Sequence, residues 1–262
     1  MKIHFCLCTD YKLMAIVASQ YQKLFWVDSD SFLLQNVSSL MKRSTDGTLF
    51  WHDIWRIHER NPVWDLLNMT TPIRGFSQES GILYIDKEIT WRPLYVAAYM
   101  NQKQPLYYSL FWGDKETFFL SFELMKQNYT FVPHAPFMVG KYGNDIGLGI
   151  KIPENRYDDF FGYSFVQLDI DGRALCVHLV SGKSFVLRYL RQGKRLFTVL
   201  RPYDPNRSHM DRNGFKNKTF DVKLDSMPAK MPLMASEYVL GPFEDRFKYA
   251  YLEAERLTKE LS

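Results

Sequence analysis

The stretch Lys23-Leu24-Phe25-Trp26-Val27-Asp28-Ser29-Asp30-Ser31-Phe32-Leu33-Leu34 decides how the rest of the chain is read. Leu24 to Val27 is a short apolar run of the kind a buried strand shows, and two carboxylates one residue apart stand at its C-terminal end. Just before it, Lys12 to Gln20 has the helix formers and apolar spacing of a short buried helix. Helix, strand and acidic turn together make an α/β crossover. Open α/β sheets bind ligands outside the carboxyl ends of their strands. Carboxylate oxygens there suit a hard cation such as Mn²⁺ or Mg²⁺ carrying phosphate oxygens, so Asp28 and Asp30 are candidate ligands of a metal-diphosphate site.

An Asp-x-Asp spacing is cheap, and the chain contains a second one at Asp169-Ile170-Asp171. That triplet runs straight into Gly172 and lies between the apolar runs Phe165 to Leu168 and Ala174 to Val177. Asp-Gly between two such runs signals a hairpin turn, so the second triplet is expected to be structural. The first has no Gly or Pro beside it and continues into Phe32-Leu33-Leu34. Its own alternative is a solvated acidic turn.

A length of 262 residues and 46% hydrophobic content allow one large domain or a domain with an appendage, with ample material for a core. The net charge of +4 is mild and the basic residues are scattered, which disfavours nucleic acid as a partner. Aromatic residues, 16% of the chain, suit either a large core or a pocket that stacks on sugar rings or bases. Trp51, Trp55, Trp64 and Trp112 are the candidates, with core packing the simpler role for each. Cys6 and Cys8 are too close for an ordinary bridge, so Cys176 is the only disulfide partner open to either. No apolar run has membrane-spanning length and no signal-peptide pattern opens the chain. Acceptor triplets for N-glycosylation begin at Asn36, Asn68, Asn128, Asn206 and Asn217, which leans toward a secreted or lumenal setting.

Along the chain, Met1 to Thr9 reads as the remnant of a preceding strand, so the sheet is expected to begin in mid-domain. Gly47 to Trp51 and Gly81 to Asp86 are strands by their apolar runs, with Asn36 to Lys42 a loop and helical turn between. A helix over Trp91 to Asn101 is opened by Arg92-Pro93 in its first turn. Phe118 to Met125 is helical, with Asp114 or a neighbour as its cap and Lys115 and Glu116 as a solvated first turn. Pro133 to Gly149 and Pro153 to Gly162 are loops. Past about Leu200 polar residues and proline become frequent, and an amphipathic helix over Glu244 to Glu260 closes the chain. The expected division is therefore a domain over residues 1–199 and a C-terminal appendage over 200–262.

Several segments in order resemble the fungal α-mannosyltransferases of the α-1,3-mannosyltransferase type, lumenal type II Golgi membrane enzymes with a GT-A fold. They are Trp26 to Phe32, Phe50-Trp51-His52-Asp53, Glu79-Ser80-Gly81 ahead of a strand ending Asp86-Lys87, Tyr99-Met100-Asn101, and Gly113 to Phe118. The resemblance covers about Lys12 to Lys183. It implies an α/β fold with a GT-A-like, Rossmann-type mixed sheet flanked by helices. It also implies a GDP-mannose donor, Mn²⁺ or Mg²⁺, and transfer of mannose with retention to a mannose-terminated glycan in the Golgi lumen. The family's cytoplasmic tail, membrane anchor, stem and first βα units do not precede Met1, so a truncated or short member is expected.

The resemblance implies roles residue by residue. Asp30 is the direct metal ligand, Asp28 a metal or ribose contact, and Ser29 lies beside the nucleotide. His178 is the distant metal ligand and Lys183 reaches the β-phosphate. A lone His ending an apolar strand is more often a satisfied core residue, but the first Asp pair and Gly182-Lys183 favour the ligand reading. Glu79 and Asp114 are the catalytic candidates, and Ser80, Gly81, His52 and Asp53 the substrate contacts. For Asp114 a plain helix N-cap stands as the alternative, and for His52-Asp53 a capped strand end. Two further functions compete: a catalytically silent domain that binds glycan or partner enzymes, and a metal-dependent phosphohydrolase. The second wants more His and Asp at strand ends than the chain offers.

Overall fold

Backbone pairing turns the apolar runs into strands, several of them buried along most of their length. The computed structural model describes residues 10–69, 77–111, 113–142, 154, 160–180, 199–202 and 221–222. These residues fall into two compact units, one drawn from Met1–Asp28 with Asn36–His134 and the other from Ser29–Gln35 with Ala135–Ser262. The fold is α/β. Most of the appendage expected past residue 200, its closing helix, the start of the chain and the Gly182-Lys183 turn lie outside the described residues. So do Cys6 and Cys8, on which the disulfide expectation depends.

The first unit is built on a three-stranded antiparallel sheet in the order β1 (Lys23–Val27), β4 (Gln78–Asp86), β3 (Thr48–His52). The helices are α1 (Asp10–Ala18), α2 (Ser38–Met41), α3 (Val63–Leu66), α4 (Lys87–Gln102), α5 (Gln104–Tyr107) and α6 (Lys115–Met125). Leu83 and Ile85 of β4 meet Leu13 and Ile16 of α1, Leu94 and Ala97 of α4, and Phe118 and Phe122 of α6 in one core. Phe50 leaves the ladder with β4 at a register shift and turns its N–H to Thr130 O (2.9 Å) and its C=O to Val132 N (2.8 Å). That Phe50–Phe131 bridge is the parallel pairing among the described residues.

Two boundaries differ from those expected. β4 begins at Gln78, so the polar Gln78-Glu79-Ser80 is strand, every residue of it buried. Partners offset much of the cost of burying these polar side chains: Gln78 Oε1 accepts from Phe119 N (3.0 Å) and Glu79 Oε1 from Gly81 N (2.6 Å), while Gln78 Nε2 is buried without a partner among the described residues. The helix expected from Trp91 begins four residues earlier, at Lys87, where the Asp86 carboxylate accepts from Glu88 N and caps it. Pro93 is thereby interior, and it leaves the Ile89 carbonyl without its helical donor. The Gln127 side chain donates to that carbonyl at 2.8 Å.

The second unit carries an antiparallel sheet in the order β2 (Ser31–Leu33), β7 (Ala174–His178), β6 (Phe160–Leu168), β5 (Phe137–Tyr142), β8 (Val199–Pro202), with β9 (Asp221–Val222) paired to β6. β5 and the first residues of β6 fall where loops were expected. Gly140 and Gly162 interrupt the apolar runs, so cross-strand pairing on both flanks, which no local pattern displays, makes them strand. Asn36, Asn68 and Asn128 of the acceptor triplets are exposed. No helix among the described residues is long and apolar enough to cross a membrane.

Candidate functional site

In the first unit, the antiparallel register of β1 on β4 sets Val27 opposite Ile82, and Asp28 N donates to Gly81 O at 2.8 Å. Asp28 is therefore held beside Ser80-Gly81. Lys12 of α1 reaches in from the helix layer. Its ammonium donates to Asp28 Oδ2 (3.0 Å), Ser80 O (2.9 Å) and Ser80 Oγ (2.8 Å), and stands 3.6 Å from Asp114 Oδ2. Three acceptors match the three protons of an ammonium, which fixes Lys12 although its side chain is only 11% exposed. Asp28 Oδ1 accepts from Trp26 Nε1 at 2.6 Å, so both its oxygens are engaged.

Asp114 stands at the N-cap position of α6, yet its carboxylate makes no capping bond. It turns toward Lys12 instead, and the plain-cap alternative does not describe it. Burial pushes its carboxyl up, Lys12 draws it back, and the charges of Asp28 and Glu79 push it up again. Glu79, Ser80 and Asp114 thus share one electrostatic neighbourhood with Asp28, although they come from three separate segments of sequence.

A second layer sits where β3, β4 and the first turn of α6 meet. Asp53 Oδ1 accepts from Ile54 N at 2.6 Å, and its other oxygen pairs closely with the Lys115 ammonium. Glu116 lies 3.7 Å from that ammonium and accepts from Ser77 Oγ at 2.8 Å. The expectation that Lys115 and Glu116 form a solvated turn is overturned: the Glu116 side chain is 3% exposed and that of Lys115 14%. Packing of the helix start onto two strand ends excludes water, and opposite charges within contact make that burial tolerable. Burial pulls the Lys115 ammonium down, but Asp53, Glu116 and Glu79 together hold it above the usual lysine range. Burial likewise raises the Asp53 carboxyl, with Lys115 opposing. His52, beside it, lies flat on Phe131, ring centroids 4.5 Å apart.

Burial pushes the Glu116 carboxyl up to about 7, against the pull of Lys115 and the Ser77 hydroxyl, from an ordinary 4.5. Between those values the folded chain holds a proton that the unfolded chain has lost, so stability falls as pH rises through that window. Glu116→Gln is expected to remove this part of the decline, on the order of 3 kcal/mol. Urea midpoints at about pH 5 and about pH 7.5 read it, and an unaltered slope in the variant would assign the decline to other groups.

In the second unit, β2 pairs with β7 so that Ser31 faces His178, and Asp30 O accepts from Leu179 N at 2.9 Å. This register brings Asp30 Oδ1 to 3.3 Å from His178 Nε2, with side chains 20% and 13% exposed. Two donors bound at right angles around a small divalent ion stand about 3 Å apart, so one carboxylate oxygen and one imidazole nitrogen at this separation fit such an ion. The Phe165 ring lies edge-on to His178 at 6.3 Å. Asp28 ends the first of the two segments of the first unit, and Ser29 and Asp30 belong to the second unit.

The second Asp triplet builds a turn. Asp169 Oδ1 accepts from Asp171 N and Arg173 N, both at 2.9 Å, and Oδ2 pairs with Arg173 Nε at 2.9 Å. Gly172 sits at φ +79°, the left-handed conformation this hairpin needs. Trp51 and Trp64 are core residues, 0% and 3% exposed, and present no face to a sugar. Trp112 and Lys183 lie outside the described residues.

Residues 63–169 match a family model described as "Mannosyltransferase putative". Over that span the chain is similar to mannosyltransferases. The mannosyltransferase-like span is less than half of the chain. It contains Glu79, Ser80, Asp114, Lys115 and Glu116, whereas Lys12, Asp28, Asp30 and His178 lie outside it. The match supports glycosyl transfer with a sugar donor and an acceptor as substrates. No curated protein matches the chain.

Lys12 is the residue that sequence reasoning passed over. The signal was present: a cation directly before the apolar run Leu13 to Ala18, on a helix read as buried, is a charge in need of a partner. The structure buries only Leu13 and Ile16 of that run.

Proposed function

We propose that this chain is a metal-dependent glycosyltransferase that moves mannose from GDP-mannose to a mannose-terminated glycan with retention at the anomeric carbon. The observation that carries the reading is the convergence on Lys12 of Ser80 and Asp114, both within the mannosyltransferase-like span, and of Asp28 from the acidic turn. Chemistry-bearing residues from three parts of the chain meet at one ammonium. A second pair, Asp30 with His178, has a donor set that suits Mn²⁺ or Mg²⁺.

In this reading Asp30 and His178 hold the ion, with Asp28 two residues earlier in the chain. A bound divalent ion would neutralise a diphosphate leaving group as a Lewis acid. The protein's own groups do the rest. Lys12 holds Asp28, Ser80 and Asp114 in one arrangement, so these groups need no reorganisation when a sugar arrives. The Asp114 carboxylate, largely withdrawn from water, can accept hydrogen bonds from sugar hydroxyls more strongly than an exposed one. Glu79, fixed by Gly81 N–H, supplies the second negative charge beside the sugar, suited to an oxocarbenium-like transition state.

The test is release of GDP from GDP-mannose by the purified full chain, with and without a mannose disaccharide acceptor. Turnover is expected with Mn²⁺ and is expected to stop on chelation. GDP that binds with Mn²⁺ but never turns over would favour the silent glycan-binding domain. Absence of both binding and turnover would overturn the proposal.

A further inference from the structure

α1 and α4 run antiparallel side by side. The Lys87 ammonium at the start of α4 donates to the carbonyls of Val17 and Ser19 at the end of α1. At the other end, Lys12 of α1 reaches Asp114, next to the turn of α6 where Asn101 of α4 donates to Thr117 Oγ1 at 2.8 Å. The inward faces of both helices supply the core, with Leu13, Ile16, Leu94 and Ala97 no more than 3% exposed.

The outward faces are unusual for helices in contact with water. On α4 the solvent row is Trp91, Tyr95 and Tyr99, at 59%, 74% and 51% exposure, with Glu88 and Arg92 the charged residues beside it and the Arg92 guanidinium over the Trp91 ring at 5.3 Å. On α1 it is Tyr11, Met14 and Val17, at 65%, 59% and 46%, with Lys12 turned inward. A surface helix ordinarily carries charged residues on that side. Because the helices are antiparallel, Val17 lies toward the Trp91 end and Tyr11 toward the Tyr99 end, so the two rows form one face. Scattered apolar residues need no explanation, but a contiguous patch of this size marks an interaction site.

We infer that this face is the interface of a homodimer, packing α1 and α4 of one copy against α1 and α4 of a second across a two-fold axis near Tyr95. The area fits. The four exposed rings present about 500 Å², and Met14 and Val17 bring the face to on the order of 700 Å², close to the roughly 800 Å² per partner of a stable interface. The charges fit as well. An isologous antiparallel contact of α4 about Tyr95 sets Trp91 across from Tyr99 of the second copy and brings Glu88 to the end that carries Lys103. Both charged residues are exposed on α4 or at its C-cap.

Sedimentation velocity of the full chain over a range of concentrations tests this, with Tyr95→Glu and Met14→Glu beside the wild type. The wild type is expected to dimerise, and each variant to weaken association at least tenfold while keeping the wild-type far-ultraviolet dichroism and, at a dilution where both are monomers, the same melting temperature. Tyr95→Cys is expected to form a disulfide-linked dimer on mild oxidation, which the wild type with its native cysteines does not. A wild type that stays monomeric at about 100 μM, or a dimer untouched by Tyr95→Glu, would overturn the inference. So would a monomer that uses this face to bind neutral or anionic lipid vesicles.

Discussion

Asp30→Asn is expected to abolish the proposed Mn²⁺-dependent turnover of GDP-mannose while the chain stays folded. The replacement keeps the size of the side chain and its backbone bond to Leu179, and removes only the charge that stands 3.3 Å from His178 Nε2. If the pair holds the ion that neutralises the leaving diphosphate, the loss is at least that of a transition-state electrostatic partner, on the order of 10²–10³-fold in kcat. Mn²⁺ binding, followed by electron paramagnetic resonance with GDP present, is expected to weaken at least tenfold in both Asp30→Asn and His178→Ala if the pair holds the ion. Asp169→Asn is the matched control. It alters the other Asp triplet, whose carboxylate is occupied by the turn and by Arg173, so it lowers stability and leaves metal binding in place. Unchanged Mn²⁺ affinity in Asp30→Asn would remove Asp30 and His178 from the metal site.

Lys115→Met lowers the stability of the chain by about 3–5 kcal/mol, the cost of breaking a buried ion pair from one side. Asp53, 2% exposed, loses the partner of one carboxylate oxygen, and Glu116 loses its nearest cation. Methionine keeps most of the volume, so the loss reports charge and not a cavity. Both carboxyls are already raised by burial with Lys115 opposing, and without the lysine they rise further. The deficit of the variant is therefore largest near neutral pH and shrinks on acidification, as the carboxyls take up protons. Urea denaturation followed by tryptophan fluorescence measures it. Pairing Lys115→Met with Asp53→Leu recovers part of the loss, because a buried pair replaced from both sides leaves less uncompensated charge. A loss below about 1 kcal/mol, the size of a surface ion pair, would show that water reaches this layer.

The Lys115→Met and Asp53→Leu results bear on how the α6 start is held. The Asp53 carboxylate and the Lys115 ammonium pair with one another at the start of α6, the turn that carries Asp114 toward Lys12. Loss of the buried pair is thus expected to act on the site through its geometry. His52 and Asp53 fit the same picture: the Asp53 carboxylate is committed to Ile54 and Lys115, and the His52 ring lies on Phe131.

The local elements were legible wherever the apolar pattern was continuous and the turn chemistry plain. β1 and α1 follow from Lys12 to Val27, and the Asp171-Gly172 hairpin from a dipeptide whose glycine takes the left-handed conformation. Asp86 as a helix cap was masked by Pro93, which looks like a first-turn residue until a side chain from elsewhere, Gln127, is found serving the carbonyl it exposes. β5 and the start of β6 were hidden because glycines interrupt their runs, and pairing from both sides compensates for weak local preference.

By itself the sequence determined the strand that ends in Asp28, the acidic turn through Asp30, the structural nature of the Asp169 triplet, and the segments from which a site can be drawn. Those follow from short-range physics: apolar periodicity, backbone conformation and the proximity of residues along the chain. Only the tertiary structure decided that Lys12 stands on Asp28, Ser80 and Asp114, that Lys115 and Glu116 are buried, and that the β2–β7 register brings His178 to Asp30. Charge burial and cross-strand register are properties of what packs against what, and an ammonium in a helix reads alike in sequence whether it faces water or three oxygens.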